Sequence, residues 1–164
     1  MSSKTPTPAS NANPPGGRGQ LAESTCAIAR AMFEVGDPWS LLIIRDAQIG
    51  LRRFGEFRVS LGVAKNILSD RLKRLVGHGV LEMAPASDGS AFQEYVLTEK
   101  GRALGTVVVA LWQWGEAYCF PGGAPESILC DLGSGLPLAP IELRASNGRS
   151  LDLENVGLVP RVRG

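Results

Sequence analysis

Asn66, Ser69, Asp70 and Lys73 lie three, four and seven residues apart. On a helix of about 3.6 residues per turn that spacing puts all four on one arc. An amide, a hydroxyl, a carboxylate and an ammonium group on one helical face can donate to and accept from base edges in a DNA major groove. The opposite arc is filled by Ala64, Leu68, Leu72, Leu75 and Val76. The pattern predicts an amphipathic helix over about 63–77 with one face buried and the polar face free. From Arg52 to Arg74 seven basic residues (Arg52, Arg53, Arg58, Lys65, Arg71, Lys73 and Arg74) face two acids, Glu56 and Asp70, a local excess of +5. Such an excess suits phosphate. Asn66, Ser69 and Lys73 are expected on bases or nearby phosphates, and Arg53, Arg58 and Lys65 on phosphates. Asp70 is expected to pair with Arg74 one turn on. Taken alone, the stretch reads equally well as a solvated amphipathic surface helix.

The neighbouring elements decide between the two readings. Arg53 to about Val59 predicts a helix with Phe54 and Phe57 on its inner face, joined to the next through a turn at Gly62. Two helices and a short turn make a helix-turn-helix. Upstream, Cys26 to about Val35 reads as a helix capped by Ser24 or Thr25, with Ile28, Ala31, Met32 and Val35 as its stripe. Pro38–Ile49 reads as a buried central helix capped by Asp37, with Trp39 as a core anchor and Arg45 and Asp46 as a charged flank. Downstream, Val80–Met83 and Phe92–Leu97 alternate as strands around a turn at Pro85–Ser90. A hairpin directly after a helix-turn-helix is a winged helix. Thr98 opens a helix running to about Tyr118, whose apolar face through Leu104, Val108, Leu111 and Trp112 exceeds what so small a domain needs. The surplus predicts a dimer interface with a second copy of the chain.

Composition limits the rest. The chain has 164 residues, 44% of them hydrophobic, and a formal charge of +1, enough for one ordinary domain plus tails and not a polycation. Residues 1–20, rich in Pro, Ser, Asn and Gly, read as a disordered tail. Residues 21–120 read as the winged helix-turn-helix domain and 121–164 as a small β appendage with strands near 127–132, 138–144 and 150–153. Three cysteines without a C-x-x-C pair and a single histidine predict neither a disulfide scaffold nor a zinc site. His78 reads as a C-cap partner of the helix dipole. There is no Gly-rich phosphate loop or catalytic triad, so neither an enzyme nor a cofactor is expected. The start carries no apolar signal region and no apolar run is long enough to span a membrane, so a cytoplasmic setting is expected.

Several pieces, in order, resemble the HxlR-type winged-helix transcriptional regulators. They are Cys26 near the first helix start, G-D-P-W-S-L-L-I-I-R-D at 36–46, G-L-R-R-F-G-E-F at 50–57 and N-I-L-S-D-R-L-K-R-L at 66–75. H-G-V-L-E at 78–82, E-Y-V-L-T-E-K-G-R-A-L at 94–104 and W-Q-W-G-E at 112–116 follow. The resemblance implies an α+β fold with extra N- and C-terminal dimerisation helices, and a dimeric, sequence-specific binder of double-stranded DNA. It also makes Cys26 a candidate redox or electrophile sensor, with Arg30 one turn on as the cation that would favour its thiolate. A response to a small-molecule or oxidant effector is the alternative reading, with Trp112, Trp114 and Tyr118 available to line a pocket. Two features depart from the family. Ala64 stands where a serine is common, and Asp88 is the sole charge between Pro85 and Ala91, where the family usually carries basic residues. The tail resembles a metal-binding ribbon without its ligands: Asp131, Ser134, Arg144 and Asn147 stand at those places, with Cys130 offset.

Overall fold

The computed structural model describes residues 18–160. They fall into two compact units divided after Ser127. The tail proposed for residues 1–20 lies outside the described residues up to position 17, and a short helix, α1 (Arg18–Ala22), occupies its end.

In the first unit, α2 (Ala27–Val35), α3 (Pro38–Gln48), α4 (Phe54–Leu61) and α5 (Lys65–Gly77) precede an antiparallel hairpin of β1 (Leu81–Pro85) and β2 (Gln93–Leu97). Leu81 pairs with Leu97 and Pro85 with Gln93, so the wing turn is 86–92. The core is built where α3, α4 and α5 meet. Ile43, Ile44, Phe57, Leu68, Leu72, Leu75 and Val80 are fully buried there. Burying one such side chain is worth about 1.5–3 kcal/mol, so this seam dominates the unit's stability.

Local chemistry sets the helix ends. Asp37 caps α3, accepting from the Ser40 backbone N–H at 3.0 Å and its hydroxyl at 2.6 Å, and Pro38 takes the first turn as predicted. Gly62 sits at φ 60°, a left-handed turn that lets α5 leave α4 sharply. Helix α5 therefore opens at Lys65 rather than 63, and Val63 is buried in the turn. His78 is the C-cap of α5, its ring edge-on to Phe33 at 5.2 Å.

Several expectations need correction. The α2 cap position is held by Cys26, with no side-chain cap bond; the Ser24 hydroxyl accepts from the Cys26 N–H instead. Asp46 is no surface flank: it is fully buried, and Arg45 donates to its Oδ1 through Nε (2.9 Å) and Nη2 (2.6 Å). The single helix expected from Thr98 to Tyr118 is two, α6 (Glu99–Arg102) and α7 (Gly105–Tyr118). Thr98 caps α6, and Gly101 then packs so closely that a Cβ would lie 2.2 Å from the Val80 carbonyl oxygen. That contact locks α6 to the hairpin base. A tighter turn, Leu104 N–H to Gly101 carbonyl at 3.1 Å, re-aims the chain into α7.

In the second unit the predicted strands reduce to isolated bridges, Cys130 with Pro137 and Arg144 with Ser150, plus a 3-10 turn at Leu153–Asn155. Each bridge closes a tight turn, with Gly135 and Gly148 at positive φ. Asp131 accepts from the Gly133 N–H (3.0 Å), the Ser134 N–H (3.2 Å) and the Ser134 hydroxyl (2.6 Å), bonds that hold its carboxyl below the usual range. Arg144 donates to the Gly148 carbonyl at 3.0 Å and to Glu142 at 2.7 Å. A carboxylate already saturated by hydrogen bonds and a guanidinium do not fit a zinc site. Side-chain hydrogen bonds hold each of these turns closed.

Asp37 also reaches across to α5, its Oδ1 lying 3.0 Å from Arg71 Nε. Asp37→Ala removes both the α3 cap and this tie, so the unfolding free energy should fall by about 2 kcal/mol in urea titrations.

Candidate nucleic-acid interface

The helix-turn-helix holds α5 by one face only. Leu68, Leu72 and Leu75 are fully buried, while Lys65, Asn66, Ser69, Asp70 and Lys73 are all exposed. The fold brings four of the six predicted site residues, Lys65, Asn66, Ser69 and Lys73, onto this helix. Arg58, exposed on α4, joins Lys65 around an open concavity at the Gly62 turn. Among the described residues no acid pairs with Arg58, Lys65 or Lys73. The cations at the turn flank the polar face, the arrangement that sets phosphate contacts beside base contacts.

Asp70 pairs with its neighbour Arg71 at 2.6 Å and not with Arg74. Arg71 points back toward Asp37 at the start of α3, which brings its guanidinium within reach of both carboxylates.

Arg53 departs furthest from expectation. It precedes α4, and its Nη2 donates to Asp88 Oδ2 at 2.6 Å, with Nε 3.5 Å from Glu94 Oε1. Arg52 Nη1 lies 3.7 Å from Glu94 Oε2. Glu94 is buried on β2 and also accepts from the Ser87 hydroxyl at 3.2 Å. The backbone adds a tie, the Tyr95 N–H donating to the Arg52 carbonyl at 2.8 Å. The wing is therefore fastened to the start of α4 by two arginines. Ser90, whose backbone N–H donates to Asp88 Oδ1 at 3.0 Å, and Arg53 hold the Asp88 carboxyl far below its ordinary range; the Asp88 pairing in turn raises Arg53. Glu56 caps α4, accepting from the backbone N–H groups of Arg52 (2.7 Å) and Arg53 (2.8 Å), which lowers its carboxyl as well.

This cluster changes the local charge. Asp37, Asp88 and Glu94 come from outside the 52–74 stretch and rest on its arginines, so the excess there falls from +5 to +2. Glu94 was the residue that sequence reasoning missed. Within β2 it has the alternation of an ordinary strand residue, and nothing local marks it as buried.

The proposed dimer residues divide. Leu104 and Val108 pack against their own core. Leu111 is 50% exposed, and Trp112 is partly buried. No residue of α7 is fully buried, and Val107, Leu111, Trp114 and Tyr118, at spacings of four, three and four, form an exposed apolar stripe. Ile28 and Met32 on α2 are exposed too. Cys26 is exposed and forms no disulfide among the described residues, but Arg30, its expected cation, directs Nε onto the Ser24 carbonyl at 2.6 Å.

The family described as HxlR-like helix-turn-helix matches residues 34–122. An uncharacterized HTH-type transcriptional regulator of Mycobacterium tuberculosis, Rv3095, is 43% identical over 100 residues. That match covers 60% of this chain and 63% of the length of the mycobacterial relative. The crystal structure of PA1607, a candidate transcription factor, superposes with a TM-score of 0.81 at 46% identity, covering 87% of this chain and 99% of that one. The reduced form of the transcriptional regulator YodB from Bacillus subtilis gives a TM-score of 0.51 at 29% identity, over 61% of this chain and all of that one.

The Arg53–Asp88 pair makes a testable difference. Asp88→Asn should release Arg53, strengthen duplex binding on every sequence and steepen the logarithmic salt dependence by about one. Fluorescence anisotropy across a salt series measures it; an unchanged slope would show that Arg53 does not reach phosphate.

Proposed function

The chain belongs to the HxlR-like helix-turn-helix family, and from this we propose that it is a sequence-specific, DNA-binding transcriptional regulator acting as a homodimer in the cytoplasm. One observation carries the reading. The α5 helix is rigidly seated by Leu68, Leu72 and Leu75 while Asn66, Ser69 and Lys73 face outward, beside the Arg58 and Lys65 cations. A helix so held can enter a major groove without losing its packing. Asn66 and Ser69 read bases, Lys73 and Lys65 hold phosphates, and Arg58 adds a contact from α4. Arg53 acts first as the anchor of the wing.

Selection of bound sequences from random duplex DNA by the full chain tests this reading. A defined preference is expected, and its absence would sink the proposal. On the selected duplex, Lys73→Ala should weaken binding to all sequences and flatten the salt slope by about one, while Asn66→Ala should relax preference at one position by about 1–3 kcal/mol.

The stripe Val107, Leu111, Trp114 and Tyr118, with Ile28 and Met32, supports the dimer. Apolar side chains so arranged on two helices gain by covering one another across a two-fold axis. A dimer would set two recognition helices about one DNA turn apart, so the selected site should be a palindrome. Because Leu111 is half exposed in the single chain, Leu111→Asp should leave the circular dichroism of the protein intact yet yield a monomer by sedimentation. A monomeric unmodified chain at micromolar concentration would refute the dimer.

A further inference from the structure

A cavity opens where the end of α3, the segment before α4, strand β2 and the α6–α7 turn converge. Its polar lining is Gln48, Arg52, Tyr95 and Arg102, and Ala47 and Leu97 contribute to its apolar part. The two arginines carry its charge. Arg102 uses Nη1 on the Leu97 carbonyl at 2.6 Å and has no acidic partner among the described residues. Arg52 is half exposed and only loosely engaged, 3.7 Å from Glu94. Gln48 adds the third observation: its side-chain Nε2 is buried and makes no hydrogen bond. A buried donor left unpaired is costly, and a rotation of the Gln48 amide toward the cavity would let a ligand oxygen accept from it and remove that cost.

We propose that this cavity binds a small organic carboxylate. Two carboxylate oxygens match the fork of a guanidinium, and the Arg52 and Arg102 groups with the Gln48 amide supply donors for both. The apolar lining takes the carbon body of the ligand, which selects an organic acid over bare phosphate. The site also meets the elements that set wing and dimer geometry. Arg52 shares Glu94 with Arg53, and its carbonyl holds the Tyr95 N–H of β2. A carboxylate that draws Arg52 off Glu94 leaves Arg53 as the only arginine on that buried acid. The hold of α4 on the wing changes, and DNA affinity with it. This last step rests on the DNA-binding reading; the ligand site does not.

The test uses the full chain with sodium benzoate as probe. In amide-resolved NMR without DNA, benzoate should shift the Gln48, Arg52, Tyr95 and Arg102 resonances saturably, and sodium chloride at equal ionic strength should not. Arg102→Gln, at an exposed position, should weaken benzoate binding about tenfold or more, and Gln48→Leu should do the same by filling the donor's place. No saturable shift, or benzoate binding that neither variant affects, overturns the site. Saturation by inorganic phosphate but not by benzoate overturns the carboxylate assignment. On the selected duplex, benzoate should change the affinity of the unmodified chain and leave that of Arg102→Gln unchanged. An equal response in both overturns the coupling to DNA, and failure of the unmodified chain to bind any duplex overturns the regulator reading separately.

Discussion

A helix that is to meet a ligand with one face must be fixed by the other, and the seam between α3 and α5 meets that constraint. Leu68, Leu72 and Leu75 enter a core already formed by Ile43, Ile44 and Phe57, all fully buried. Because interiors are close-packed, such a seam fixes the rotation of α5 about its own axis as well as its position. A half-turn of the helix about its axis would exchange the polar face for the apolar one, so this packing decides which side chains solvent sees. Every other feature of the interface inherits its geometry from that decision. Gly62 sets where α5 begins, and the Asp37–Arg71 pair ties its middle to the start of α3.

Charge serves the same end by a different route. Asp37, Asp46 and Glu94 are carboxylates wholly or largely removed from water, and each has an arginine against it. Breaking such a pair is expensive because it leaves a charge uncompensated, so these pairs act as geometric pins more than as net sources of stability. Arg52 and Arg53 thereby belong to the architecture of the wing. Arg58, Lys65, Lys73 and Arg74 have no acidic partner among the described residues, and under the proposed function they are the cations available to phosphate. The wing turn at 86–92 presents no basic side chain, and its one acid, Asp88, is already engaged by Arg53.

The unsatisfied surface of the first unit lies elsewhere. Helix α7 is strongly apolar yet has no fully buried residue, and α2 exposes Ile28 and Met32. No described helix is long and apolar enough to cross a membrane, so lipid spanning by these helices does not explain the surplus. A second copy of the chain, as proposed, would cover it and would place the break at Ala103–Leu104 at the junction between wing base and interface helix.

The features legible in the sequence are the local ones. The amphipathic period of α5, the Asp37 and Thr98 caps, the turn at Gly62 and the hairpin turn within Pro85–Ser90 all arise within a few residues of one another. Backbone geometry relates such neighbours in the same way in any fold, so the winged-helix order and the exposed Asn66, Ser69 and Lys73 could be read directly. Tertiary structure alone decided the pairings over distance. Arg53 finds Asp88 thirty-five residues away, Glu94 becomes buried, and Asp46 turns inward with Arg45. It also decided which half of the α7 face is spent on the chain's own core. Leu104 and Val108 turn inward and Trp114 and Tyr118 outward because Gly101, pressed against Val80, breaks the helix and re-aims it. Helical periodicity tells which residues share a face, but only packing against distant elements tells where that face points.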